Sequence, residues 1–416
     1  MPSAAARLRS SRLATLALPR LPLLAVLVVT AVLACRMMMV NTPSLDETTY
    51  LSAGHVIWHN WMHGGTDTRY PTYFSGAPGI YPVIAAVADA IGGLLAARLL
   101  SLVFVLVTIC VLHATARRLF GARAAAWAVL AFGTLAGTQF LAAVATYNAM
   151  ALMLMALAVW ISIRYAQSDR LVPHAGLLLG APILAAANAT KYATALYDPV
   201  VIAVVALVVA AGYGRRQGIR CATMYAAVLA ALLAAAVAVG GDQYVTGIVS
   251  TTLSRPGGTA TVAAVFDDAG RWVGALAALS GLAVAVAALG TWRRRIWNVA
   301  TVSSLALVAV LSVAVVLAPV EQARIHTSIS LQQHVTFGAW FAAMALGSLL
   351  ARLSGRRIRA WWRWTPALAA MVALGVVGHQ QAVTLYHGQP NAATLTASPP
   401  PPSDVMLVDR HPEAGP

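Results

Sequence analysis

Charge is what this chain has least of. Only 10% of its 416 residues are Asp, Glu, Lys or Arg, 13 of them acidic. A water-facing globular surface needs far more charge, so a soluble domain is excluded. Lysine is reduced to one residue, Lys191, although the net charge is +15. Aromatic residues make up 7% and do not interleave with a basic stripe, which excludes nucleic-acid binding. The three cysteines, Cys35, Cys110 and Cys221, lie in or beside apolar runs without metal spacing or a paired loop position. They read as buried small hydrophobes.

What is present is apolar length. Of the residues, 60% are hydrophobic and the mean hydropathy is +0.75. They fall into blocks of about 20, each long enough to cross a bilayer as a helix. Spans are expected at 16–35, 94–114, 122–143, 147–166, 172–190, 195–213, 219–240, 272–291, 298–318, 335–353 and 364–382. The fold class is therefore an all-α polytopic bundle of about 11 transmembrane helices. Arg7, Arg9, Arg12 and Arg20 precede the first block, which reads as an uncleaved span with its N-terminus inside. With that orientation most of the 28 basic residues fall in short inside connections, and Asp169 is the only acid there.

The stretch 78–93 is apolar but short. If it spanned, every later arginine cluster would face outward, so it reads as an interfacial or re-entrant helix. Three long outer loops result, at about 36–93, 241–271 and 319–334. The transmembrane module is assigned to 1–382 and a Pro-rich, unstructured outer tail to 383–416. The Arg-over-Lys bias and the abundance of Ala, Val and Gly suit a bacterial cytoplasmic membrane.

The polar residues of varied type collect in the outer loops. Asp46 and Glu47 stand where the chain first leaves the lipid, in Asn41-Thr-Pro-Ser-Leu-Asp-Glu-Thr-Thr-Tyr50. A carboxylate there can be a general base, a metal ligand or, for Asp46, the cap of a helix beginning at Glu47. His55, His59 and His63 recur every fourth residue and share a helical face. Two of them, His55 and His59, could bind a divalent metal with Asp46 or Asp67; the bland alternative is an interfacial helix anchored by Trp58 and Trp61. Lys191 closes the fifth span, where a lysine can simply snorkel to the headgroups.

In order along the chain, one span, Asp46-Glu47-Thr48-Thr49-Tyr50, Ala77-Pro78-Gly79-Ile80-Tyr81-Pro82, Ala96-Ala97-Arg98-Leu99 and a stack of spans with short basic connections resemble the GT-C-fold glycosyltransferases. The likeness is to the family 39, protein O-mannosyltransferase and aminoarabinose-transferase group. It extends over 16–380 in architecture, and its motifs concentrate in 41–100. It implies transfer of a hexosyl or pentosyl group from a polyprenyl-monophosphate carrier to an acceptor hydroxyl at the outer face. The acceptor, whether protein, lipid or wall polysaccharide, is left open; no cofactor is called for by this reaction, and dependence on a divalent metal is left open too.

The resemblance makes Asp46 the base and gives Glu47 the task of orienting it or binding the acceptor. Lys191 and Arg98, then Arg255 and Arg324, are the expected contacts to the carrier phosphate. Tyr50, Asn148, His326 and His334 are expected to touch sugar or acceptor. Asn148 stands where the family's second acidic residue is expected, and an amide cannot act as a base. Two other readings compete: a transporter or flippase of a lipid-linked sugar, and an inactive relative that binds one. A transporter predicts ionisable residues at mid-membrane and repeat symmetry, whereas the polar residues here gather at one face.

Overall fold

The computed structural model describes residues 21–39, 43–65, 70, 74–167, 176, 178–255, 257–354 and 365–388. The long elements among the described residues are all helices. In order they form α1 (Leu21–Met38), α2 (Leu45–His63), α3 (Tyr81–Phe120), α4 (Ala122–Gly133), α5 (Ala136–Ala143), α6 (Tyr147–Ala166) and α7 (Gly180–Thr190). A 3₁₀ turn, Tyr192–Tyr197, leads into α8 (Asp198–Tyr213), α9 (Arg215–Ile248) and a π turn, Val249–Leu253. The bundle closes with α10 (Val262–Arg294), α11 (Val299–Arg324), α12 (Leu331–Leu353) and α13 (Thr365–His387).

Nine helices among the described residues are long and apolar enough to cross a membrane. A tenth span arises if α4 and α5, bent by 69° at residues 134–135, count as one. The expected fifth span, 172–190, is described as a helix only from Gly180, which accounts for the difference from eleven. α13 runs to His387, past the expected boundary at 382, and the rest of the tail lies outside the described residues, as do Asp67 and Arg7 to Arg20.

The short apolar stretch 78–93 is a helix distinct from the span that follows. The chain breaks at Gly92 and Gly93, where Gly93 has φ 65°, a conformation that L side chains rarely adopt. Residues 81–91 lie against α2, close enough that a Cβ on Gly54 would stand 2.0 Å from the Pro82 carbonyl oxygen. α12 is the hub. It packs against α4, α10 and α11, and Phe337, Trp340 and Phe341 are sealed on all sides. One expectation fails here: Cys35 and Cys110 are exposed on helix surfaces, and only Cys221 is buried. A thiol is apolar enough to face lipid, so an apolar run does not by itself distinguish a core position from a lipid-facing one.

The first long loop returns to the bundle beside the end of α7. Ala77 N–H donates to Ala189 O at 2.7 Å and Tyr192 N–H to Ser75 O at 2.8 Å. The two backbones approach so closely at Gly76 that a Cβ there would stand 2.1 Å from Thr190 O. Gly76→Ala is therefore expected to cost about 1–3 kcal/mol through backbone overpacking. Gly212→Ala, with no atom within 4 Å, should be neutral or stabilising by up to about 1 kcal/mol. Thermal unfolding of both variants in one detergent checks this; equal melting temperatures would remove the close approach.

Candidate active site

The site is built on the start of α2. Ser44 is its N-cap, in a capping box: Glu47 N–H donates to Ser44 Oγ at 3.4 Å and Ser44 N–H to Glu47 Oε2 at 2.9 Å. The expectation that Asp46 caps a helix beginning at Glu47 is thereby corrected. The helix starts two residues earlier and leaves Asp46 free of that duty.

Glu47 is buried at 1% exposure and fully engaged. Arg98 clamps it with Nε to Oε1 and Nη2 to Oε2, both at 2.8 Å, and Ala145 N–H donates to Oε1 at 2.9 Å. Arg98 Nη1 donates to Met38 O at 2.8 Å, and its guanidinium lies 5.5 Å from the Tyr386 ring centroid. Two sequence expectations change. Arg98, with 2% exposure and its donors engaged within the protein, has no free fork to offer a carrier phosphate. Glu47 has no free lone-pair geometry for an acceptor and is a positioning residue.

Asp46 points elsewhere, since successive helical side chains diverge by about 100°. It is half-buried, and among the described residues its carboxylate has no hydrogen-bond partner. Burial raises its pKa, the nearby Lys191 charge pulls it back down, and Glu47 raises it. Lys191 lies in the break between α7 and the 3₁₀ turn and is only 3% exposed. Its Nζ donates to Asn148 Oδ1 and sits 4.9 Å from the Tyr147 ring centroid. Burial lowers its pKa to about 7 against the support of Asp46, with Arg255 lowering it further.

Asn148 joins this ammonium to the bundle. Its Nδ2 donates to Gln333 Oε1 and to Thr146 Oγ1, the latter at 3.3 Å. It is 2% exposed and holds Lys191, so direct contact with a sugar is not what its placement offers. The break that presents Lys191 is braced by Asn188 Nδ2 donating to Asp198 Oδ2 at 2.8 Å.

Lys191, Arg255, Glu321, Gln322 and His334 line one cavity of about 70 Å³, with Thr251, Thr252 and Tyr197 in its wall. His334 is held there by Gln322 Nε2 at Nδ1, and its carbonyl accepts from Tyr197 OH at 3.2 Å. Arg324 turns away. It forks onto Glu321 at 2.6 and 2.9 Å, and its side chain is 59% exposed. His326 is exposed, bonds to Ala260 O at 3.1 Å and does not line the cavity. Tyr50 is buried among Phe74, Tyr81 and Tyr147, where burial raises its pKa; it packs the site wall rather than presenting a free hydroxyl.

The histidine face finds partners other than a metal. His55 Nε2 bonds Asp89 Oδ2 at 2.8 Å, and His59 stacks on His63 at 4.3 Å. Among the described residues no group of three His, Cys, Asp or Glu could hold a metal ion. Sequence reasoning missed Gln322 and Gln333. The signal for Gln333 was the run Gln332-Gln333-His334 opening an otherwise apolar span, where an unpaired amide would be costly; Gln322 had no such local signal.

These roles separate in stability measurements. Glu47→Gln or Arg98→Met leaves one buried charge unpaired and is expected to cost about 3–5 kcal/mol. Asp46→Asn touches no such bond and should stay within about 0.5 kcal/mol of the parent. Asp198→Asn keeps an acceptor for Asn188, whereas Asp198→Ala strands that amide at about 1–3 kcal/mol. Melting curves of the purified variants decide; an intact Glu47→Gln protein would dissolve the clamp.

Residues 77–239 match the family model of the dolichyl-phosphate-mannose-protein mannosyltransferases. No curated protein sequence matches. Among solved structures, the apo oligosaccharyltransferase of Archaeoglobus fulgidus superposes with a TM-score of 0.55 at 16% identity, over 92% of this chain and 59% of that one. The same enzyme tethered to an acceptor peptide containing the NVT sequon gives 0.57 at 14% identity, over 90% and 56%. ArnT from Cupriavidus metallidurans bound to undecaprenyl phosphate gives 0.55 at 17%, over 84% and 63%. The chain thus spans less than two thirds of the length of each. It has the GT-C glycosyltransferase fold, with the sequence pattern of the dolichyl-phosphate-mannose-protein mannosyltransferase family over residues 77–239.

Proposed function

We propose that this protein transfers a sugar from a polyprenyl-monophosphate carrier to an acceptor hydroxyl at the outer membrane boundary, with Asp46 as general base. The observation that carries the reading is a carboxylate that has no hydrogen-bond partner among the described residues and interacts with the charge of a buried ammonium. Asp46 and Lys191 act on each other's charge, yet no hydrogen bond joins them. The match to a mannosyltransferase family and the fold shared with an undecaprenyl-phosphate-bound ArnT support a lipid-linked donor.

The reaction needs charge of opposite sign at its two ends. The acceptor oxygen attacks the anomeric carbon as its proton passes to Asp46. The bond from that carbon to the phosphate oxygen breaks, and polyprenyl phosphate leaves with the electron pair. Lys191 and Arg255, both lining the cavity, neutralise that charge as it grows. Arg255 supplies a planar fork and Lys191 a point charge. Asn148 keeps the ammonium aimed without cancelling it, as a carboxylate at that position would. Glu47 and Arg98 hold the helix that carries the base. The in-line displacement inverts the anomeric centre.

Release of free polyprenyl phosphate in lipid nanodiscs tests this. Wild type should release it from at least one member of a panel of polyprenyl-phosphate sugars in the presence of a membrane-extract acceptor. Asp46→Asn should lose about 10²–10⁴-fold. Full turnover by that variant would sink the assignment.

The pH profile gives a second check. Asp46 must be deprotonated, so the rate rises on the acid side. Lys191 must be protonated, and with its pKa lowered to about 7 the rate falls as pH climbs through neutrality. Lys191→Arg, always charged, should retain activity above about pH 8, where wild type has lost it. An unchanged alkaline limb would remove Lys191 from the phosphate.

A further inference from the structure

A second cavity, unconnected with the transfer reaction, lies at the other end of the bundle. It measures about 700 Å³ and sits where α10 ends, α11 begins and α12 ends. Thr301 on its wall and Glu321 in the catalytic cavity belong to the same helix, 20 residues apart. At 1.5 Å per residue that is about 30 Å, the thickness of a bilayer's hydrocarbon core. The two cavities therefore face opposite membrane boundaries.

Its lining pairs cations with hydrocarbon. Arg294 and Arg352 both line it and act on each other's positive charge. Among the described residues neither has a carboxylate partner or a hydrogen bond, and no acidic residue lines the cavity. The hydroxyls there already have partners: Thr291 bonds Ala287 O, Thr301 bonds Asn298 Oδ1 and Ser304 bonds Ala300 O. The available donors are thus the two guanidinium forks. Two like charges facing one space repel unless an anion sits between them.

The surroundings say where that anion comes from. Val286, Ala287, Ile296 and Leu305 supply an apolar wall. The end of α10 and the connection that follows it expose Trp292 by 67% and Trp297 by 59%. Indole rings exposed at the end of a span belong at the headgroup level of a bilayer. A soluble phosphate would have no use for the hydrocarbon, whereas a phospholipid offers a phosphate to the arginines and acyl chains to the wall.

We propose that the Arg294–Arg352 cavity is a binding site for the phosphate of an anionic phospholipid, at the boundary opposite the catalytic site. Basic pockets between membrane helices are suited to such headgroups.

Native mass spectrometry of the intact purified protein tests it, with dioleoyl-phosphatidylglycerol, dioleoyl-phosphatidylcholine and inorganic phosphate as separate probes. Wild type should retain phosphatidylglycerol in preference to phosphatidylcholine. Arg294→Gln/Arg352→Gln should weaken that binding about tenfold or more, the scale of one lost charge-assisted contact. Arg293→Gln/Arg295→Gln removes the same charge from neighbours that do not line the cavity, and should bind as wild type does. Equal losses in both double variants would reduce the effect to general surface charge and overturn the site. So would unchanged binding in the first. Retention of inorganic phosphate without preference for the lipid would overturn the lipid assignment. All four arginines are exposed, so folding is preserved and a melting curve verifies it.

Discussion

The Glu47–Arg98 pair is the constraint on which the site depends. It ties four pieces of chain: the end of α1 through Met38 O, the start of α2, the span in α3 and the connection at Ala145. Burying both charges costs several kcal/mol each, offset only when every lone pair and proton finds a partner. Here the carboxylate accepts from both faces of the fork and from two backbone amides. A merely apolar contact would tolerate rotation of α2 by a fraction of a turn. A two-toothed ion pair does not, so the direction of Asp46, one residue earlier, is settled by what Glu47 does.

The cation on the other side is held by a different strategy. A buried lysine usually finds a carboxylate, and the family pattern led to an expectation of one at 148. The amide there accepts from the Lys191 ammonium and donates to Gln333 and Thr146. An acid would form an ion pair and consume the charge. The amide fixes the direction and leaves the charge for a ligand, with Asp46 as its nearest balancing group. The substitution that looked like the loss of a catalytic acid is thus compatible with a site whose positive end is filled from outside.

How much of this the sequence disclosed follows from the range of each interaction. The spans were legible because lipid imposes length and hydropathy on every residue of a helix. The separateness of 78–93 from the span that follows was legible because the stretch is short and the arginine pattern forbade an extra crossing; the break at Gly92 and Gly93 was seen only in the fold. Asp46 stood out because charge is scarce. The division of labour between Asp46 and Glu47 was not legible, since adjacent acids differ only in what the helix turns them toward. Arg98 looked like a phosphate contact for the same reason. Its partner lies 51 positions away, and nothing in its local sequence marks its fork as occupied. His55 looked like a metal ligand until the structure gave it Asp89, a pairing that depends on α2 lying against residues 81–91.

The size of the cavity beside Lys191 bears on the proposed reaction. About 70 Å³ holds a few water molecules, less than a glycosyl group with its phosphate. Three of its lining residues, Thr251, Thr252 and Arg255, come from the stretch that follows the end of α9. The π turn there, Val249–Leu253, buries no residue. The continuing segment is held by Gly258 N–H to Ile325 O at 2.9 Å, Ala260 N–H to His326 O at 3.0 Å and the His326 ring to Ala260 O. Polar bonds near solvent with little apolar burial mark the low end of local stability. Of the other walls, those from α11 and α12 include Ala318 and Phe337 of the packed core, and Ser75 and the 3₁₀ turn complete the lining. On the proposed reading, the segment that carries Arg255 is the wall that yields at least cost to a donor larger than the cavity. On that reading Arg255 sits on the element whose displacement would make room for the phosphate it binds.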